Sequence, residues 1–399
     1  MNKKTVRLAL SCLVALSAGF TACERETLPD YANFHSIPNS NSLSKRVADA
    51  VEIAPNEYVF WGTELQSNNQ WDLYAVRVNS QGIVWEQRYQ ANAIDDQAIC
   101  LRWYNNELWA VGYQSGAAEI STVFKIDAAS GNALSSLDVN NTKINDMKWD
   151  GLSSGVIVVG GTSNVNTNKP QFDPSTDTRD IFVANLMSNG TTTNISWQIR
   201  YGFGGVDEAK TVYPTNTGVI AFTNVEENNG QQTGMIIMNN NTGGVINQRS
   251  FDYAPNTLDL GTTLSNGQTN GFELVALANN GNIIRQSVSI PTNSTINYNN
   301  QNISIQNLEI QNLFANGSNY LLTGNNNGQA KIYKLDNNFA TQGDITLSAS
   351  DVAANASNIS ISKGVAISNN QFLVAVNYTV NGVQEIGFIK LDSNGNLIP

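Results

Sequence analysis

Three aspartates in the stretch Gly161–Asp180 (GTSNVNTNKPQFDPSTDTRD), namely Asp173, Asp177 and Asp180, could offer carboxylate oxygens to a calcium ion. Their spacing matches no calcium-loop pattern, so they read as solvated loop carboxylates and no metal site is assigned. The single histidine, His35, lies ahead of the patterned part of the chain. Neither a His-based triad nor a His metal cluster can be assembled beyond it. Two Asp or Glu brought together from distant segments could still perform glycosidase chemistry, but no spacing marks such a pair. The Gly-rich run YGFGGVDE (201–208) joins two extended segments and precedes no helix, which argues against a phosphate cradle. All seven tryptophans fall between Trp61 and Trp197. Trp71, the Trp103–Tyr104 pair and Trp149 are the candidate binding aromatics, with Asp173 and Asp177 as loop candidates; Trp61, Trp85, Trp109 and Trp197 read as packing residues.

The elements that would position these residues recur along the chain. DLYAVRVNSQG (Asp72–Gly82) and DIFVANLMSNG (Asp180–Gly190) share one template, an extended apolar stretch with Gly ten residues after its start. It returns at Ser121–Gly131, Thr233–Gly243, Gly271–Gly281 and Glu385–Gly395, and without the Gly at Gln329–Phe339. An apolar run such as YVFWG, LWAVG or GVIVVG precedes it, and a run such as IVWEQRY or ISWQIRY follows. Four short strands per unit, separated by Asn- and Gly-rich turns, predict a β-propeller. The fold expected is all-β: one seven-bladed propeller of four-stranded antiparallel blades over residues 46–399. The blades are placed at about 46–90, 96–138, 144–202, 207–252, 257–291, 302–348 and 359–399. The fifth is short enough to lack its outer or inner strand. The last is barely complete, and the segment near His35–Asn39 is expected to close it from the N-terminus. Arg88, Arg200 and Arg249 recur at one position and Asp96 and Asp207 at another, a pattern expected of pairing between blades. The variable loops, 62–71, 90–95, 113–120, 161–179, 202–206, 224–232 and 292–301, are expected on one face, opposite the SQG and SNG turns.

The first residues, MNKKTVRLALSCLVALSAGFTAC, carry a basic start and an apolar stretch too short to span a membrane. Phe20-Thr21-Ala22-Cys23 resembles a bacterial lipobox, with Phe in place of the usual Leu. The resemblance implies a signal peptide over 1–22 and a lipid on Cys23 as the one covalent attachment, with no other cofactor. Residues 23–45 read as a polar tether. Its start, Cys23-Glu24-Arg25-Glu26, resembles the acidic cluster that follows the lipidated Cys of surface-exported Bacteroidetes lipoproteins. The repeats resemble bacterial propeller repeats of the SBBP kind, with their D-x-F-V…G…W…GG…D-x-A layout, best in the first and third units.

Removing 1–22 takes away three of the 22 basic residues and none of the 33 acidic ones, so the charge moves from −11 to −14. Such a balance argues against nucleic acid. Only Cys23 and Cys100 would remain, so no disulfide framework is expected. Lipobox and propeller together imply an outer-membrane, lipid-anchored protein, at the cell surface rather than the periplasmic face. The function expected is a protein-interaction or assembly subunit of an integral outer-membrane protein or complex. A surface glycan-binding lipoprotein is the alternative, and a carboxylate-based glycan-degrading enzyme comes third; no catalytic signature is found.

Overall fold

Short apolar runs bounded by Asn- and Gly-rich turns form strands throughout the computed structural model. It describes residues 34–399 apart from 40, 42, 90–94, 117, 152–154, 164–178, 203–204, 216–217, 228–229, 254–255, 266–270, 293–294 and 354. Cys23, Asp173 and Asp177 therefore lie outside the described residues. Seven antiparallel sheets follow one another along the chain, at residues 45–89, 96–140, 142–201, 208–251, 258–306, 309–347 and 356–398. Each is a meander in which sequential strands are spatial neighbours, joined antiparallel by connections that are mostly short turns.

Seven apolar cores lie between the blades and close a ring. In the second strand of blade 1, Glu57–Leu65, Tyr58 and Phe60 pack into the core shared with blade 7, whereas Val59 and Trp61 pack into the core shared with blade 2. Burial on both faces is why such strands read as continuous apolar runs rather than as alternating ones. The ring closes where expected. Phe34–Ser36 pairs antiparallel with Val383–Leu391 and forms the outer strand of blade 7, which removes an exposed sheet edge. The short strand Leu397–Ile398 pairs with the far end of the same neighbour.

The recurring residues are the joints between blades. Trp85 donates its indole N–H to Ala128 O of blade 2 at 2.9 Å, and Trp197 donates to Asn240 O of blade 4 at 2.8 Å. Each carbonyl belongs to the turn that ends in the template glycine. At Gly131 φ is +77°, and a Cβ there would stand 2.7 Å from the Trp85 ring. The turn residue must therefore be Gly both for its backbone and to admit the neighbouring blade's tryptophan. In blade 6, where the template lacks Gly, Phe339 takes the left-handed conformation (φ 62°) and is buried against Tyr320.

Three expectations are corrected. Blade 5 has all four strands, Leu258–Ser265, Gly271–Ala278, Asn282–Thr292 and Thr295–Gln306. Residues 295–301 thus lie in its outer strand, not in a loop, and Gly281 ends a second-to-third turn on the loop face. Arg88 and Arg200 pair within their own blades, with Glu64 and with Asp180. Only Arg249 reaches the next blade, where it donates to Ile296 O and lies 5.0 Å from the Tyr298 ring.

Asp96 sits buried at the entry to blade 2, where its carboxylate accepts from Gln114 at 2.8 Å and from the Leu73 backbone N–H of blade 1. Burial, followed by repulsion from Asp72, pushes its pKa up to about 6. Between the unfolded value near 3.9 and about 6, the folded chain keeps a proton that the unfolded chain has lost. This group's contribution is therefore most favourable at low pH and falls as pH rises through that window. Asp96→Asn should remove the penalty, raising stability by about 1–2 kcal/mol at pH 7.5 with little gain at pH 4. Urea unfolding midpoints at the two pH values test this; an equal effect at both would show that the charge is not the cause.

Candidate functional site: the channel and the turn face

All seven inner strands carry a β-bulge at the same step of their pairing, at Ala48, Ile99, Asn145, Lys210, Gly261, Gln311 and Ser362. A bulge strengthens local twist and re-aims the side chains that follow it. The glycine that often lies opposite it in the second strand makes room for it: a Cβ at Gly62 would collide with the Arg46 carbonyl oxygen. The seven inner strands enclose a channel of about 350 Å³.

Its charged lining is unevenly paired. Arg102, on the inner strand of blade 2, donates to Asp49 of blade 1 at 2.6 Å and to Asp146 of blade 3. It also donates to Met147 O at 2.8 Å and Leu101 O at 2.7 Å. Asp146 accepts in turn from Thr211 of blade 4 at 2.6 Å, so one network ties four blades together. Burial alone would raise the Asp146 carboxyl, but Arg102 and then Lys148 hold it well below the usual carboxylate range. Lys148 is pushed down by burial, a shift that Asp146 opposes and that Arg102 and Lys363 reinforce. Cys100 lies in the same wall; burial pushes its thiol up to about 12, so it is a packing residue rather than a nucleophile.

The structure separates the sequence candidates. Trp71 begins the third strand of blade 1 on the loop face, with the Arg46 guanidinium 4.0 Å from its ring centroid and its backbone N–H donated to Asp95 at 2.9 Å. Trp103, Tyr104 and Trp149 end inner strands on the opposite face, that of the short first-to-second and third-to-fourth turns. Tyr104 and Trp149 meet across blades 2 and 3, with centroids 6.4 Å apart and planes 28° apart, while Trp103 packs against the core between blades 1 and 2. Asp180 is ion-paired with Arg200 at 2.5 Å, each side chain 2% exposed, and so is occupied. No group of three or more His, Cys, Asp or Glu among the described residues is arranged to hold a metal.

Sequence reasoning missed the exposed aliphatic residues of the outer strands. Val84 (44% exposed), Leu134 (48%) and Ile246 (44%) stand on blades 1, 2 and 4. Each is the extra residue of a bulge in the outer strand, close to the third-to-fourth turn. Met187, Ile195 and Val245 are exposed beside the same position on blades 3 and 4. In blade 6 the bulge residue is Gln342. The signal was present as IVWEQRY and VINQRSF, but which residue of each run the bulge turns outward depends on pairing register.

No family model matches the chain, and no curated protein matches it at a significant level. Among solved structures it is similar to the Dos1 propeller, with TM-score 0.54, 10% identity and coverage of 89% of this chain and 95% of that one. It is also similar to Chaetomium thermophilum Sqt1 bound to the N-terminus of the ribosomal protein L10 (TM-score 0.51, 12% identity, 92% of this chain and 88% of that chain). A third likeness is to a prolyl endopeptidase (TM-score 0.50, 12% identity, 98% of this chain and 53% of that chain). At these identities the likeness establishes the propeller architecture and leaves the choice between binding and catalysis to the chain's own surface.

Proposed function

We propose that this protein is a docking module, a propeller held at the outer membrane by a lipid on Cys23 that binds a protein partner through the turn face and outer strands of blades 1–4. The observation that carries the reading is the placement of large aliphatic residues at the outer-strand bulges of blades 1, 2 and 4, where blade 6 has glutamine. Six of the seven exposed large hydrophobics among the described residues lie at the turn-face end of blades 1–4; Val206, on the loop face, is the seventh. Tyr104 and Trp149 share that face. Water disfavours such a concentration of apolar surface unless a partner covers it, and aromatic and aliphatic anchors surrounded by polar residues are what protein interfaces use. Surface display and an integral outer-membrane partner belong to the same proposal, resting on the N-terminal sequence.

The triple substitution Val84→Glu, Leu134→Glu and Ile246→Glu should leave the fold intact, because each side chain is solvent-facing. It should reduce capture of the partner from detergent-solubilised native membranes by at least tenfold, as read by quantitative mass spectrometry of the tagged protein. Gln342→Glu, at the equivalent place in blade 6, should capture as the wild type does. Equal losses in the two variants would mean that charge, not apolar contact, is being sensed, and undiminished capture by the triple variant would place the interface elsewhere.

A further inference from the structure

Charges in the channel fall into two groups. Arg102 is satisfied by Asp49, Asp146 and two carbonyls, and Lys210 has Glu208 at 3.5 Å. Lys148 and Lys363, on the inner strands of blades 3 and 7, line the same channel and make no ion pair with any described residue. Lys148 has the face of the Tyr213 ring 5.4 Å from its ammonium, and Asp146 attracts it from beyond ion-pair distance. The lining thus carries four cations, Arg102, Lys148, Lys210 and Lys363, against the two carboxylates Asp49 and Asp146, inside a chain of net charge −11. Like charges confined between low-dielectric walls repel strongly, and a counter-charge placed among them is bound correspondingly well.

The rest of the wall says what kind of anion fits. Leu264 and Phe314, from blades 5 and 6, give the channel an apolar side. Asn312 lies in the wall as well, with its side-chain oxygen buried and without a partner among the described residues. That oxygen accepts and cannot donate, so it calls for a ligand hydroxyl or amine. A volume of about 350 Å³ holds a small organic molecule rather than a chain segment. We propose that the central channel binds a small hydroxycarboxylate, its carboxylate between Lys148 and Lys363, a hydroxyl on Asn312 and its carbon skeleton against Leu264 and Phe314.

The test uses the full-length chain in detergent, titrated calorimetrically at constant ionic strength with glucuronate, glucose, acetate and inorganic phosphate. Saturable one-to-one binding of glucuronate is expected, with glucose at least tenfold weaker. Lys148→Met should weaken glucuronate at least tenfold while melting no lower than the wild type without ligand, because it removes a repelled charge. Asn312→Leu should weaken glucuronate but leave the weaker acetate binding unchanged, which a general disturbance of the channel would not do. Absence of saturable glucuronate binding to the wild type would overturn the assignment. So would undiminished binding by a folded Lys148→Met variant, or phosphate binding as tight as glucuronate.

Discussion

Arg102→Met is expected to destabilise the protein by about 3–5 kcal/mol at pH 7, because removing one member of a buried charge network leaves the others uncompensated. The Asp49 and Asp146 side chains are 1% and 7% exposed, and Arg102 is the cation that faces both. Arg102 is also the bond between blades 1, 2 and 3, so its loss loosens three inner strands together. The pH dependence identifies the cause. Asp146 is held well below its ordinary value. A depressed carboxyl contributes stability that is fully present above the unfolded pKa, near 3.9, and is lost as pH falls toward the folded value. The gap between Arg102→Met and wild type should therefore be largest at neutral pH and shrink below about pH 4, where protonation relieves the stranded carboxylates. Urea unfolding at pH 7 and at pH 3.5 measures it. A gap under 1 kcal/mol, or one of the same size at both, would mean that the guanidinium acts by packing alone. Adding Asp49→Asn and Asp146→Asn to the arginine variant should restore much of the loss.

Phe34→Ala should have an effect of similar size by a different route. Phe34 is buried in the core between blades 6 and 7, meets Tyr378 edge-on with centroids 5.3 Å apart, and lies against Gly387, where no side chain competes for the space. Truncating a buried phenylalanine costs about 3–5 kcal/mol. Here it also weakens the strand that fastens the first segment of the chain to the last blade. His35 stacks on Phe388 at 4.7 Å and Ile37 N–H donates to Ile386 O at 3.0 Å, so the strand has other holds. Asn377 clasps the Val47 backbone across the seam as well, receiving its N–H at 2.7 Å and donating to its carbonyl at 3.1 Å. The ring should therefore stay closed but open more readily at blade 7. Hydrogen exchange should show protection lost first over Val383–Leu391, with blades 2–5 little changed. Uniform loss around the ring would show that the closing strand is not a local latch.

Blade count and most blade limits were legible because the units repeat the same joint. A tryptophan in one outer strand needs a carbonyl and a glycine turn in the next blade, and both leave marks at fixed spacing. Blade 5 was misread for the same reason: an Asn-Gly turn looks alike wherever it falls in the meander, and Gly281 ends a different turn from Gly131. The repeat was legible even at Phe339, which stands where the other templates have Gly: it takes the backbone conformation glycine usually takes and is buried against Tyr320, with the Arg285 guanidinium 4.2 Å away.

The candidate sites lay deeper. Asp49, Arg102 and Asp146 stand about fifty residues apart and have no local pattern; they meet because seven bulges re-aim the residues after them. The sequence by itself determined strands, turns and their sevenfold recurrence, since these follow from local backbone preferences and from burial on two faces. Which charges share the channel, and which aliphatic residues are turned to solvent, only the tertiary structure decided. A bulge adds one residue without changing composition, and it reverses the direction of every side chain that follows it.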